Sequence, residues 1–180
     1  MNQDYKNIYF VGAGGIGMAA LERYFLSQGK RVAGYDRTAT DLTRALQAEG
    51  VDIVIDNDSP EAIPEEMRSP EDTLVVMTPA VPSSHRALQW FRDKGFRVVK
   101  RAAALGEATR NSKAICFSGT HGKTTTSSMA AHILHNSPEG CNAFLGGVLR
   151  NYGTNFLLDP KSEFSVVEAD EYDRSFHHLP

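Results

Sequence analysis

Short apolar runs alternate with helix-like segments along the first hundred residues, and this alternation constrains the fold more than any other feature. The runs NIYFVG, RVAGYD, VDIVI, TLVVMTPA and FRVVK read as strands, while TDLTRALQAEG and HRALQWFRDKG show helical spacing and end in glycine. Each crossover carries the chain back over one face of a sheet, so the strands are expected to pair in parallel. The pattern predicts an α/β fold with a Rossmann-like doubly wound parallel sheet over residues 1–110.

A second unit is expected to begin at residue 111. RAAALGEATR is predicted to be a connecting helix, and the apolar segments KAICF and FSVVEAD are predicted to be strands, with the glycine-rich stretch FLGGVLRNYGTN between them. The regular alternation of the first unit is missing here. Residues 111–180 are therefore interpreted as the incomplete start of a P-loop-type ATP-binding α/β domain from a longer enzyme, the alternative being an irregular but complete domain.

Composition excludes several classes of protein. The chain has 180 residues, 41% of them hydrophobic, and a formal net charge of -3, so it can bury a core and has no overall attraction for nucleic acid or anionic membranes. No apolar run approaches the roughly 20 residues that span a bilayer, and the polar N-terminus does not resemble a signal peptide. We expect a cytoplasmic protein without nucleic-acid partners or membrane insertion, and with Cys116 buried in its strand.

A glycine-rich turn in the second unit has the composition of a phosphate-binding loop. The segment GTHGKTT, called here the second loop (Gly119–Thr125), lies between a predicted strand and a predicted helix. In that context backbone N–H groups converge on phosphate oxygens, Lys123 reaches the terminal phosphates and the Thr124 hydroxyl can ligate Mg²⁺. The sequence therefore predicts an ATP site, the rival explanation being a chance GKT at a helix start. The predicted ATP-binding residues are Gly119, Thr120, His121, Gly122, Lys123, Thr124 and Thr125.

A carboxylate is placed to complete the metal site. Glu168 directly follows the apolar run Phe164–Val167, and ligands collect at the carboxyl ends of strands in open α/β sheets. Mg²⁺ prefers oxygen ligands, so Thr124 and Glu168 are the predicted metal ligands. Asp170, Glu171 and Asp173 crowd the same turn. Asp170 and Glu171 are expected to orient ligands or water, unless the whole cluster is only a solvated acidic loop.

The first glycine cluster, GAGGIG, satisfies the GxGxxG pattern directly after the first strand. It is called here the first loop (Gly12–Gly17). Such a turn brings backbone N–H groups to a pyrophosphate, and Asp36 at the end of the second strand could hold a ribose. A nicotinamide-dependent oxidoreductase would explain this loop but would leave the second loop and Glu168 without a role. Two phosphate sites in series favour phosphoryl transfer to a nucleotide-linked substrate.

Three stretches together resemble the Mur ligases of bacterial cell-wall synthesis: FVGAGGIGM, GTHGKTTTS and EADEYDRSFHHLP, in this order. The resemblance covers the whole chain. It implies an ATP-dependent ligase that joins L-alanine to the carboxylate of UDP-N-acetylmuramate through an acyl phosphate, with Lys123 and Glu168 as the catalytic residues. It also implies that parts for adenine and amino-acid binding lie elsewhere, so that this stretch alone is not expected to catalyse ligation.

The resemblance also assigns substrate-binding residues. Those implied to border the UDP-sugar are Gly12, Gly14, Gly15, Ile16, Gly17, Asp36, Thr78, Pro79, Ala80, Asn151 and Asn155, with Tyr152 beside the last two and His177 and His178 in a histidine-bearing family segment. Turn formation alone would explain the asparagines. A sibling ligase that attaches a recycled tripeptide to the same UDP-sugar shares the EADEYD segment and stays an alternative, as does a non-catalytic nucleotide-binding module. The pattern specifies no oligomeric state.

Overall fold

The computed structural model describes residues 5–169, which divide into two compact units between Arg101 and Ala102. The sequence-based boundary at residue 110 lies at the far end of the helix that begins at the structural division. Among the described residues, none of the helices is long and apolar enough to cross a membrane.

The first unit is a five-stranded parallel sheet in the order β3-β2-β1-β4-β5, which confirms the predicted doubly wound fold. Its elements in chain order are β1 (Asn7–Val11), α1 (Ile16–Ser27), β2 (Arg31–Asp36), α2 (Asp41–Glu49), β3 (Asp52–Ile55), β4 (Thr73–Met77), α3 (Arg86–Asp93) and β5 (Arg97–Lys100). Two short 3₁₀ turns, Pro60–Ala62 and Glu65–Met67, replace a helix between β3 and β4.

Strand β1 lies in the centre of this sheet and all five of its residues are buried. A strand with neighbours on both edges and elements on both faces must be apolar on both faces, which is why NIYFV reads as a continuous run. Tyr9 and Val11 on one face pack with Phe91 of α3 and Phe96, whereas the Phe10 ring lies 6.3 Å from that of Phe25 in α1.

Capping residues fix where α2 and α3 begin. Thr40 and Thr43 form a reciprocal capping box at the start of α2, with the Thr40 N–H donating to Thr43 Oγ1 at 2.8 Å. At the start of α3 the Leu88 N–H donates to Nδ1 of the capping residue His85 at 3.2 Å.

The second unit contains α4 (Arg101–Thr109, all but its first residue), β6 (Lys113–Phe117), α5 (Lys123–His135), β7 (Asn142–Leu149), β8 (Thr154–Leu157) and β9 (Phe164–Glu168). Its sheet has the order β6-β9-β7-β8, in which only the β7–β8 pair is antiparallel. The predicted connecting helix and the strands before the second loop and before Glu168 are all present. The stretch FLGGVLRNYGTN, for which the sequence predicted no strand, lies within the β7–β8 hairpin.

The expected burial of Cys116 is wrong, because Cys116 is exposed whereas Cys141 is fully buried. Strand β6 is an edge strand of its sheet among the described residues, so its apolar composition does not guarantee cover on both faces. Cys141 instead belongs to the core between α5 and the sheet, and its thiol donates to the Ala131 carbonyl at 3.4 Å. Burial raises the pKa of Cys141 to about 11.

Candidate functional site

The second loop joins β6 to α5, as the sequence predicts. Helix α5 begins at Lys123, and Gly122 before it has a left-handed backbone with φ of +77°, a conformation that glycine adopts without steric cost. The first N–H groups of a helix have no partners within the helix and point toward the preceding loop. This end of α5 therefore has the geometry of an anion-binding site.

Lys123 folds back over its own loop. Its Nζ donates to the Gly119 carbonyl at 2.6 Å, which holds the ammonium group beside the loop backbone. Among the other predicted ATP-binding residues, His121 and Thr125 are exposed. The predicted phosphate cradle thus brings together a cation, a glycine turn and a helix N-terminus.

Glu168 is carried to this loop by strand pairing. Strands β6 and β9 are parallel neighbours, and the register places Phe117 opposite Glu168. The carboxyl ends of the two strands therefore meet at the same edge of the sheet, where the Thr124 hydroxyl donates to Glu168 Oε2 at 3.1 Å. The two predicted metal ligands, separated by a long stretch of chain, are in direct contact.

The oxygen atoms of Thr124 and Glu168 fit a magnesium ion bound together with a nucleotide. Both are hard oxygen ligands, and Mg²⁺ usually takes only one or two protein groups while keeping water and phosphate oxygens as its other ligands. Over residues 5–169 no group of three or more His, Cys, Asp and Glu side chains could hold a metal on its own. The chemistry of the pair thus matches a shared phosphate–cation site better than a closed protein cage.

Glu168 makes two further contacts that the sequence did not predict. The Ser127 hydroxyl lies 3.0 Å from Glu168 Oε1, and the Gly146 N–H donates to the same oxygen at 2.9 Å. A Cβ atom on Gly146 would lie 2.7 Å from Oε2, so a larger residue at this point of β7 would displace the carboxylate. The glycine pair in FLGGVL and a serine one turn after Thr124 were the available signals.

The first loop lies in the other unit, between β1 and α1. The Gly12 and Ala13 N–H groups both donate to the Tyr35 carbonyl, at 2.8 and 2.9 Å, and the Gly14 N–H donates to Asp36 Oδ2 at 2.6 Å. The other oxygen of Asp36 accepts from the Thr38 N–H at 3.0 Å. The structure thus brings Asp36 to the glycine turn, where its carboxylate braces the loop backbone.

Further side chains border the first loop. Gly12, with φ of +92°, lies so close to Thr78 that a Cβ atom would collide with the threonine methyl group. Pro79 and Ala80 follow Thr78 and are exposed. Arg101 was not identified from the sequence: a Cβ atom on Gly17 would lie 3.2 Å from its Cδ and Nη1, so this guanidinium adds positive charge beside the start of α1.

The predicted asparagines occupy different environments in the β7–β8 hairpin. Asn155 is fully buried in β8 and its Nδ2 donates to the Leu145 carbonyl at 3.2 Å, whereas Asn151 is exposed in the turn. The Tyr152 hydroxyl lies 2.8 Å from His132 Nδ1 and accepts from Asn136 Nδ2 at 2.8 Å, which ties the turn to the end of α5.

Five residues named from the sequence, Asp170, Glu171, Asp173, His177 and His178, lie outside the described residues.

Comparison with known proteins identifies relatives across the chain. The model of the Mur ligase family, catalytic domain, matches residues 7–113. UDP-N-acetylmuramate--L-alanine ligase of Parabacteroides distasonis is 61% identical over 172 residues, which cover 96% of this chain and 37% of that protein. The ligase of the same name from Phocaeicola vulgatus is 58% identical, with 97% of this chain and 38% of that protein covered. The chain thus spans less than two-fifths of the length of these curated relatives.

Solved structures of two ligases share the fold. The UDP-N-acetylmuramate:L-alanyl-gamma-D-glutamyl-meso-diaminopimelate ligase from Neisseria meningitides matches with a TM-score of 0.84 at 26% identity, covering 94% of this chain and 54% of that one. The UDP-N-acetylmuramate-alanine ligase from Thermotoga maritima matches with a TM-score of 0.81 at 28% identity, covering 92% of this chain and 37% of that one.

Proposed function

Because the chain belongs to the Mur ligase family, we propose that it forms part of an ATP-dependent ligase that joins L-alanine to the carboxylate of UDP-N-acetylmuramate. The observation that carries this proposal is the hydrogen bond between Thr124 and Glu168, next to Lys123 in the second loop. The names of the most similar curated relatives supply the identity of the two substrates. ATP in the cytoplasm would be the co-substrate.

The proposed reaction explains why this site needs concentrated positive charge. A carboxylate reacts poorly with an amine because its leaving group would be an oxide ion, and transfer of the γ-phosphoryl group of ATP converts it into an acyl phosphate. The substrate carboxylate and the γ-phosphate repel each other, and the ammonium group of Lys123 offsets that repulsion. Lys123 would exchange its bond to the Gly119 carbonyl for phosphate oxygens.

Thr124 and Glu168 are the residues that would hold Mg²⁺. When bound, the ion would neutralise charge on the ATP phosphates, which is the chemistry expected of magnesium in phosphoryl transfer. The contribution of the chain is to fix a hydroxyl and a carboxylate oxygen 3.1 Å apart at the end of β9.

The first unit would bind the UDP portion of the substrate. The first loop presents a glycine turn at the start of α1, and Arg101 adds a cation beside Gly17. A diphosphate group carries the negative charge that suits both features. Thr78, Pro79 and Ala80 would border the same ligand.

A second candidate is a ligase that attaches a peptide to the same UDP-sugar. The fold similarity to the Neisseria enzyme favours it, since that protein is named for a tripeptide substrate. The two candidates share the ATP and UDP-sugar sites and differ only in the attacking amine.

Calorimetric titration and a ligation assay test the proposal. UDP-N-acetylmuramate is expected to bind, and binding is expected to persist in Lys123→Ala. Binding of NADH without binding of the UDP-sugar would contradict the proposal and favour an oxidoreductase. In the complete gene product, phosphate release from ATP that depends on L-alanine supports the alanine ligase, whereas dependence on the tripeptide supports the second candidate. UDP-sugar binding without phosphate release with either amine would favour a non-catalytic module.

A further inference from the structure

The two oxygen atoms of the Glu168 carboxylate have different surroundings. Oε1 accepts from the Gly146 N–H at 2.9 Å and lies 3.0 Å from the Ser127 hydroxyl. Oε2 accepts from the Thr124 hydroxyl at 3.1 Å. One oxygen is therefore bound to groups of the folded framework, while the other faces the residue beside Lys123.

Ser127 is fully buried on α5, one turn after Thr124. Its hydroxyl has a single proton and two acceptors within reach, Glu168 Oε1 at 3.0 Å and the Thr124 carbonyl at 3.1 Å. A hydrogen bond to a carboxylate is roughly twice as strong as one between neutral groups. The contact with Glu168 is therefore the stronger of the two.

These contacts restrict a torsion that is otherwise soft. The last torsion of a glutamate side chain has broad and roughly twofold preferences, so an unsupported carboxylate rotates readily. Two donors on Oε1 from different elements, α5 and β7, hold the plane of the group. Oε2 is then kept beside the Thr124 hydroxyl.

We propose that Ser127 is a positioning residue that, together with the Gly146 N–H, locks Glu168 so that Oε2 and Thr124 Oγ1 present a preformed pair to a divalent cation. This proposal rests on the proposed function in one respect, because it assumes that the cation binds together with ATP. It adds a specific role for a serine that the motif alone does not distinguish from its neighbours. Groups that orient metal ligands typically change metal affinity by about 10- to 100-fold when they are removed.

Binding of Mn²⁺ in the presence of ATP, measured by electron paramagnetic resonance on the complete gene product, tests this role. Ser127→Ala is expected to weaken Mn²⁺ binding about 10-fold. Ser127→Thr retains the hydroxyl and is expected to restore binding to within about 3-fold of the wild type. Ser128→Ala, on the same turn and without a contact to Glu168, is the matched control and is expected to bind as the wild type does.

Folding is measured separately by thermal unfolding monitored by circular dichroism, without metal. If Ser127→Ala does not fold, Ser127→Cys serves as the second variant, because a thiol has a similar volume but donates weakly. Weakened Mn²⁺ binding in a folded variant supports the proposal. Unchanged binding in a folded Ser127→Ala or Ser127→Cys overturns it and leaves the proposed function intact, whereas a wild-type protein that binds no Mn²⁺ with ATP overturns both.

Discussion

The first loop is packed against its neighbours, whereas the second loop is open. Cβ atoms on Gly12 and Gly14 would collide with Thr78 and with Asp36, so these glycines leave room for other side chains. A Cβ atom on Gly122 would meet no protein atom within 4 Å, so among the described residues only its left-handed backbone favours glycine. The two glycine-rich loops therefore need glycine for different reasons. In the first loop other side chains approach the glycines closely, and in the second loop the backbone is left-handed.

The helices that follow the two loops differ in how their buried polar side chains are hydrogen-bonded. Helix α1 buries Glu22, whose carboxylate oxygens have no hydrogen-bond partner among the described residues. Helix α5 buries Ser127, which contacts Glu168. The first loop thus precedes an uncompensated buried acid, and the second precedes a polar contact that belongs to the candidate metal site.

Replacing Gly12 tests the difference in packing most severely. Gly12→Ala forces alanine into a left-handed backbone conformation and brings its Cβ atom into collision with Thr78. The two effects together are expected to lower the free energy of unfolding by about 3 kcal/mol. Gly29→Ala, with φ of +73° and no atom within 4 Å of the added Cβ, isolates the backbone contribution and is expected to cost about 1 kcal/mol. Urea unfolding followed by fluorescence of Trp90, the single tryptophan, measures both.

Gly122 in the second loop can be compared with Gly29, because both have a left-handed backbone and space for a Cβ atom. Gly122→Ala is expected to cost about 1 kcal/mol, as Gly29→Ala does, because only the backbone conformation is affected. Equal losses for Gly12→Ala and Gly29→Ala would show that the contact with Thr78 relaxes at no cost, and the distinction between packed and open loops would fail.

Lys123 gives the second loop a cation that the first loop does not contain within its own residues. Under the proposed function, Lys123→Ala in the complete gene product is expected to lower kcat for ATP-dependent ligation by about 100-fold, because the transferring phosphoryl group would lose a charged partner. Titration calorimetry should show unchanged binding of UDP-N-acetylmuramate. Lys113→Ala, an exposed lysine of β6 paired with Glu163 at 2.7 Å, is the control, and an equal loss in that variant would argue against a specific role for Lys123.

Glu22 makes the stability of the first unit depend on pH. Burial raises the pKa of Glu22 well above 4.5; Arg23 opposes this, while Asp36 and Glu49 add to it. Since the unfolded chain releases this proton at lower pH than the folded protein, the free energy of unfolding decreases as pH rises above about 4.5. Below its raised pKa the folded state keeps a proton on Glu22 that the unfolded chain releases.

Replacing Glu22 by an apolar residue of similar size removes this penalty. Glu22→Met is expected to raise the free energy of unfolding by about 2 kcal/mol at pH 8 and by less at pH 5, as measured by urea unfolding at both pH values. Glu65→Met, at an exposed position of the same unit, is the control. A gain that is independent of pH would contradict a protonated Glu22 in the folded protein.

The smallest expected effect is a difference in thiol reactivity, which follows from the burial of the strands that lead into the two loops. Strand β1 is buried throughout, whereas β6 leaves Cys116 exposed. A thiol reagent at pH 8 is expected to modify one cysteine rapidly, and Cys116→Ser should abolish that phase, because burial and a pKa of about 11 protect Cys141. Rapid modification of both thiols would show that the core beside α5 opens readily.

The sequence predicts the elements that depend on local signals. Strand periodicity, helix spacing and terminal glycines specify the first sheet and the positions of both loops, and a strand end next to an apolar run identifies Glu168. The β7–β8 hairpin was missed because Gly146 and Gly147 depress strand propensity. Cβ atoms there would lie 2.7 Å from Glu168 Oε2 and 2.9 Å from Thr124 Cγ2, so a larger residue would displace these side chains, a constraint that arises only in the folded protein.

Contacts between distant residues could not be inferred in the same way. Asp36 was expected to lie near the ligand, and the structure adds its bond to Gly14, which no spacing rule specifies. Ser127, Gly146 and Arg101 were missed because their roles follow from strand register and side-chain direction rather than from local pattern. Exposure of Cys116 likewise depends on which strand forms the edge of the sheet.

The pairing of β6 with β9 has a consequence for biosynthesis. During translation β6 leaves the ribosome first, and residues 118–163 must follow before β9 can align with it. At about 10 residues per second this takes several seconds. Throughout that interval β6 is without β9, its neighbour among the described residues. A strand edge that is unpaired for seconds is a place where intermolecular pairing can begin.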